Sequence, residues 1–164
     1  MTEEQVLLWH KIRSFDIDDS DSTFTFTDRL ARENGWTFSY SVRTIEEYKK
    51  FIFLLCNSNK QLTPSDQVDQ VWHLHLLYTK SYWKELCEKT IQREIHHGST
   101  KGGQKEKEKY NNFYEDTKKT YREIFQSEPP IDIWPTSKVR FKEINFIRVN
   151  AHKYWIIPKL KFLQ

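Results

Sequence analysis

The sequence predicts a mainly α protein: a compact helical single domain with a small extended or β-hairpin element at its C-terminus. Three observations carry that expectation. Apolar residues recur at helical spacing through most of the first 126 positions, capping residues stand where those runs begin, and beyond residue 127 the pattern gives way to proline and then to alternation. The expected organisation is one domain over 1–164, helical over 1–126, with a proline-rich connection and extended segment over 127–164. A chain of this length buries about 70% of its unfolded surface and needs no disulfide or metal staple to fold.

Thr2 and Gln5 form a capping box, and Val6, Leu7, Trp9 and Ile12 recur behind it, giving a short helix to about Ser14. The stretch 15–27 interrupts it. Its aspartates, Asp16, Asp18, Asp19 and Asp21, invite a calcium reading, but the turn glycine and the later bidentate glutamate of a calcium loop are missing, so they read as turn residues. A short helix over 28–34 stops at Gly35, the residue best suited to a left-handed closing position.

Thr44 and Glu47 make a second capping box ahead of the stripe Ile45, Tyr48, Ile52, Leu55 and Cys56, which makes Cys56 an inert core thiol and leaves Cys87 the more reachable one. Thr63 as cap, Pro64 in the first turn and Asp66 at the positive end of the dipole start the next helix. It carries Asp69, Trp72, His73 and His75 and runs on through Tyr82, Trp83 and Cys87, with Thr79 as the point where it would break.

Gly98, Gly102 and Gly103 mark a loop holding His96 and His97. Tyr110, Phe113, Tyr114, Thr117, Tyr121, Ile124 and Phe125 then line one side of a long helix, whose opening run over 105–109 alternates Lys with Glu as a solvated face. Pro129, Pro130 and Pro135 stiffen the following connection, with Ile131, Ile133 and Trp134 as its anchors. Ile144, Phe146 and Arg148, and then 154–157, read as strands about a turn at Asn150 and Ala151.

Composition narrows the function classes. A formal net charge of +3 on 26 basic and 23 acidic residues is a near balance, which argues against a dedicated nucleic-acid binder; only the C-terminal segment, where Arg140, Lys142, Arg148, Lys153, Lys159 and Lys161 interleave with rings, would serve that role. Cys56 and Cys87 form no CxxC pair, so neither a disulfide framework nor a zinc-finger pattern is expected. The start at Thr2, Glu3 and Glu4 lacks a secretory pattern, and no apolar run is long enough to span a membrane, so the expected setting is cytoplasmic.

Chemistry concentrates between Asp66 and His97, where four histidines fall: His73, His75, His96 and His97. On a helix, His73 and His75 lie about 200° apart and cannot share one ion. His75 falls with Val68, Val71, Trp72, Tyr78 and Tyr82 on a core-facing stripe, as a buried imidazole hydrogen-bonded to a hydroxyl or carbonyl. His73 falls with Asp66 and Asp69 on the other side, and Asp69 and His73, at i and i+4, meet on one strip and can hold a divalent metal, zinc or iron, with His96 or His97 as third ligand. Cys87 joins such a site only across a chain break, because fourteen residues of unbroken helix put it about 21 Å from His73.

Two function classes follow. One is a metal-dependent hydrolytic or oxidative centre at Asp69, His73 and His96 or His97. The other is a non-catalytic interaction module, in which the Asp69–His73 contact merely fastens the helix and the basic run over 105–109 meets a protein partner.

Val68-Asp69-Gln70-Val71-Trp72-His73-Leu74-His75-Leu76, followed by Tyr82, Cys87 and His96-His97-Gly98, resembles the signature of the glycine-rich domain-containing protein-like family, in its bacterial branch. The likeness extends to Arg29-Leu30-Ala31-Arg32-Glu33-Asn34-Gly35-Trp36 and to Asp132-Ile133-Trp134-Pro135, and so to most of the chain up to about Phe141. It implies a family placement and brings no activity, catalytic residue or cofactor with it.

Overall fold

A helix of 20 residues becomes the strut against which four others pack. In the computed structural model, which describes residues 1–98, 104–142, 149 and 153–157, with 104–108 through their backbone alone, that strut is α3 (Phe38–Asn57). Against it pack α1 (Glu3–Arg13), α2 (Phe26–Asn34), α4 (Asp66–Leu77) and α5 (Gln104–Phe125). A π-helix (Lys80–Ile91) lies against α1 and α4, and the short α6 (Ser137–Arg140) against α5. Phe51, Ile52, Phe53, Val68, Val71, Tyr82 and Tyr114 are fully buried between them, so rings supply much of the core. The chain is mainly helical as expected, and no strand occurs among the described residues. Most of the expected hairpin, over 143–148 and 150–152, lies outside them.

Local signals set the first helices. The Thr2–Gln5 box caps α1, though only Ile12 of its stripe is buried and Val6 and Leu7 stay exposed. A Thr25–Asp28 box starts α2 two residues earlier than the sequence reading places it, and Gly35 closes it at φ +66°. The acidic loop is used up in turns: Asp18 accepts the Thr27 N–H at 2.8 Å and its hydroxyl at 2.7 Å, while Asp16 and Asp19 each accept the N–H two residues on.

Two expected helix starts need correction. α3 begins at Thr37, whose hydroxyl accepts the Tyr40 N–H at 3.2 Å, so Thr44 and Glu47 are interior residues and not a capping box. Thr44 instead donates back to the Tyr40 carbonyl at 2.9 Å, as a mid-helix threonine does. Ser65, not Thr63, caps α4: its hydroxyl accepts the Val68 N–H at 3.2 Å, while the Thr63 N–H goes to the Thr117 hydroxyl of α5 at 2.9 Å.

Glu47 shows why that second box fails. Buried to 5% exposure, its carboxylate accepts from Lys50 Nζ at 2.8 Å, Tyr121 Oη at 3.2 Å and Trp134 Nε1 at 2.8 Å, tying α3 to α5 and to the connection before α6. Ile133 and Trp134 anchor that connection as expected, whereas Ile131 is exposed.

The break does fall beside Thr79. Tyr78 turns out of helical geometry (φ −88°, ψ 63°), and the chain resumes as the wider π-helix, whose buried residues Tyr82, Leu86, Cys87 and Ile91 stand four and five apart, the spacing that i to i+5 bonding aligns. Cys87 is thereby carried into the core at 2% exposure, while Cys56 is half-buried, the reverse of the expected ranking.

No helix among the described residues is long and apolar enough to cross a membrane. Burial pushes the Cys56 thiol up to about 11 and raises Cys87 as well. At about pH 8 neither thiol should react with an aqueous thiol reagent until the protein unfolds, and the two should form no disulfide. Prompt native-state modification of Cys87 would contradict its position in the core.

Candidate metal centre

Asp69 and His73 share one strip of α4, as i, i+4 geometry requires, and the structure brings one loop histidine down onto them. Asp69 Oδ1 lies 2.8 Å from His97 Nε2, and Asp69 Oδ2 lies 3.9 Å from His73 Nε2. The two imidazole rings are 4.6 Å apart, and ligand atoms of all three residues fall within 4.8 Å of one another. Asp69 and His97 are about one-fifth exposed and His73 about half exposed, so the cluster is seated in the surface and reachable from water.

What carries His97 across 28 positions of chain is a clamp built on Tyr82. From the first full turn of the π-helix, the Tyr82 hydroxyl accepts from Trp72 Nε1 at 2.9 Å and donates to the carbonyl of Ile95. The loop after Ile91 is thus fixed two residues before His97, whose ring packs edge-on to Trp72 at 4.6 Å. Burial holds the Tyr82 phenol well above its ordinary range, so it remains a donor.

His96 points elsewhere. It is 71% exposed, faces Glu94 at 3.2 Å and lies 5.4 Å from the Trp83 ring, so of the two loop candidates it is His97 that joins Asp69 and His73. Cys87, despite the break near Thr79, goes to the core and takes no part.

A fourth charged group was not legible as part of this site. Arg140, at the end of α6, is only 12% exposed, donates to the Pro64 carbonyl at 3.2 Å, and places its guanidinium 3.8 Å from Asp66 and 3.9 Å from Asp69 Oδ2. Sequence reading had it only in a basic C-terminal run, because no spacing rule connects positions 71 residues apart. Asp69 is therefore shared: one oxygen faces His97, the other His73 and Arg140.

Two ligand atoms each about 2.1 Å from a tetrahedral ion stand about 3.4 Å apart. The 2.8 and 3.9 Å contacts run to different Asp69 oxygens, so one ion held by all three residues would require the carboxylate and the rings to adjust toward that spacing. Asp69 and His97 also line an open cleft of about 980 Å³ that runs past Trp72 and Arg140, between the loop 58–64 and the start of α5.

A scan against protein-family models matches residues 22–128 to the family described as UCP032817-like. The chain belongs to the UCP032817-like family. This corrects the resemblance to the glycine-rich domain-containing protein-like family: with four glycines in 164 residues the chain lacks the feature of that name, and the Trp-His-x-His segment on which the likeness rested lies inside the UCP032817-like match. The matched span holds Asp69, His73 and His97 but ends before Arg140. Searches of curated proteins and of solved structures found no match.

His75 lies on the far side of α4, as expected, fully buried between Tyr48 Oη at 2.9 Å from Nδ1 and Ser81 Oγ at 3.0 Å from Nε2. Burial lowers its pKa to about 3, so the ring stays neutral in the folded protein. His75→Ala, which empties a core position and orphans Tyr48, should cost about 2 kcal/mol or more and lower Tm well beyond His73→Ala. Since an unfolded histidine takes its proton near 6.5 and the folded one near 3, stability should fall as pH drops through that window, by up to about 1.4 kcal/mol per pH unit, and the His75→Ala variant should lose this part of the slope. Denaturant melts across the window check both statements.

Proposed function

We propose that Asp69, His73 and His97 bind a divalent first-row metal ion, zinc or iron, and that the site supports hydrolytic or oxidative chemistry on a molecule held in the adjoining cleft. The single observation that carries this reading is the convergence of three potential ligands from two separate segments within 4.8 Å. Two histidines and one carboxylate are the ligand set of both catalytic zinc sites and the facial triad of non-haem iron, and three protein ligands leave positions open for water or substrate. Such an ion would supply a bound water acidified toward neutrality.

The chain's own residues have definable parts. Asp69 brings the negative charge, His73 the solvent-side ligand and His97 the cleft-side ligand, held by packing on Trp72. Tyr82 positions His97 through Ile95. Arg140, 3.9 Å from Asp69 Oδ2, orients the carboxylate. A cytosolic setting, where Cys56 and Cys87 remain free thiols, suits this reading.

Metal analysis of untagged protein, followed by zinc titration against a chelating indicator, tests it. Asp69→Ala, His73→Ala and His97→Ala should each weaken binding by about 100-fold or more, while His96→Ala leaves it unchanged. Affinity should fall in acid, because an imidazole coordinates only when neutral. Tyr82→Phe removes no ligand yet should weaken binding by about tenfold, because the loop is released. Equal zinc affinity in wild type and His97→Ala would sink the proposal and leave the Asp69–His97 contact as a structural fastening.

A further inference from the structure

The cleft beside the cluster is not neutral. Four permanently charged cations line it, Lys60, Arg93, Lys109 and Arg140, against two carboxylates, Asp69 and Glu94. Asp69 faces Arg140 at 3.9 Å, and Glu94 lies 3.2 Å from His96 on the exposed side of the loop, so among the described residues neither pairs with the remaining cations. Lys60 is itself paired with Asp116 at 3.0 Å. Arg93 donates only to the Cys56 carbonyl at 3.2 Å, and Lys109 sits 5.5 Å above the Phe113 ring; among the described residues neither meets a carboxylate. An arginine and a lysine thus line one concavity with no carboxylate paired to either among the described residues, and their fields add there.

The walls between these cations are apolar. Leu62, Tyr110, Phe113 and Phe141, all partly exposed, line the same space, and Trp72 closes it beside His97. A ligand that satisfies both features carries an anionic head and a flat or branched apolar body, and a cleft of about 980 Å³ admits a molecule of metabolite size.

The geometry points to a small organic anion as the cleft's ligand, a carboxylate or phosphate ester whose head is held by Arg93 and Lys109 and whose apolar body lies on Phe113 and Phe141, beside Asp69 and His97. Guanidinium and ammonium groups recognise either head, and rings in the wall favour an aryl or branched alkyl body over a sugar. The inference deepens the metal-centre reading by naming the class of molecule that would reach it, and it rests on that reading for chemistry but not for binding.

Calorimetry with phenyl phosphate, benzoate and inorganic phosphate, on the full chain freed of metal by a chelator, separates the two. Phenyl phosphate or benzoate should bind saturably and lose affinity with added salt, and phenyl phosphate should bind about tenfold or more tightly than inorganic phosphate, which has no body to bury. Whichever of the two aryl probes binds tighter supports the proposal and names the head group. The pair Arg93→Gln and Lys109→Gln, both on the exposed rim, should keep Tm and weaken the aryl anion by about tenfold. Asp69→Asn should abolish zinc binding while keeping the aryl anion. Zinc binding without any saturable aryl anion would overturn this proposal alone; aryl anion binding without zinc would overturn the metal reading alone. Affinity unchanged in the Arg93→Gln, Lys109→Gln protein, or equal for phenyl phosphate and inorganic phosphate, would also overturn it.

Discussion

One hydroxyl decides how Asp69, His73 and His97 come together. Tyr82 Oη accepts from Trp72 on α4 and donates to Ile95 in the loop, so a single buried group joins the helix that bears Asp69 and His73 to the segment that bears His97. A loop free to move would pay conformational entropy to bring an imidazole to a fixed place on a helix. Here that cost is met in folding, by bonds made in the dry core where an unmade partner is expensive. The π-helix is what aims the hydroxyl: its widened turns put Tyr82, Cys87 and Ile91 inward together, and its first residues follow directly on the sharp turn at Tyr78.

A second buried group fixes the opposite wall of the cleft. Glu47 accepts from Lys50, Tyr121 and Trp134, with each carboxylate oxygen engaged, and so ties α3 to α5 and to the connection that leads to α6. Tyr114 of α5 donates to the Pro135 carbonyl at 2.8 Å, just before α6 begins, and Arg140 at the end of α6 reaches back to Pro64 and Asp69. A carboxylate at 5% exposure is tolerated because three donors, one of them the Lys50 cation, meet it. Two buried polar centres, Tyr82 and Glu47, therefore set the relative placement of His97 and Arg140 about Asp69.

The sequence made part of this legible. Periodicity and caps located α1, α2 and the stop at Gly35, because those signals act within one turn of helix. The 100° rule put His73 and His75 on opposite faces and so separated the exposed candidate from the buried imidazole. Two starts are misplaced because other caps compete: Thr37 takes the Tyr40 N–H and Ser65 the Val68 N–H, while the Glu47 carboxylate and the Thr63 N–H go to Trp134 and Thr117, 87 and 54 positions away. The choice between His96 and His97 was equally closed to sequence, since adjacent residues in an irregular loop point in directions that only Ile95's partner fixes.

Asp69 ties these strands together electrostatically. One carboxylate faces two imidazoles and a guanidinium, so in the metal-free chain Arg140 supplies the counter-charge. If a divalent ion joined this carboxylate, its charge would add to that of an arginine 3.9 Å from Oδ2 of the same group, and the excess positive charge would face the cleft. An anion entering there would then relieve it. By linkage the ion must favour the anion by the factor with which the anion favours the ion. Such coupling would need no movement of the fold, only that ion and anion lie near each other in one cleft.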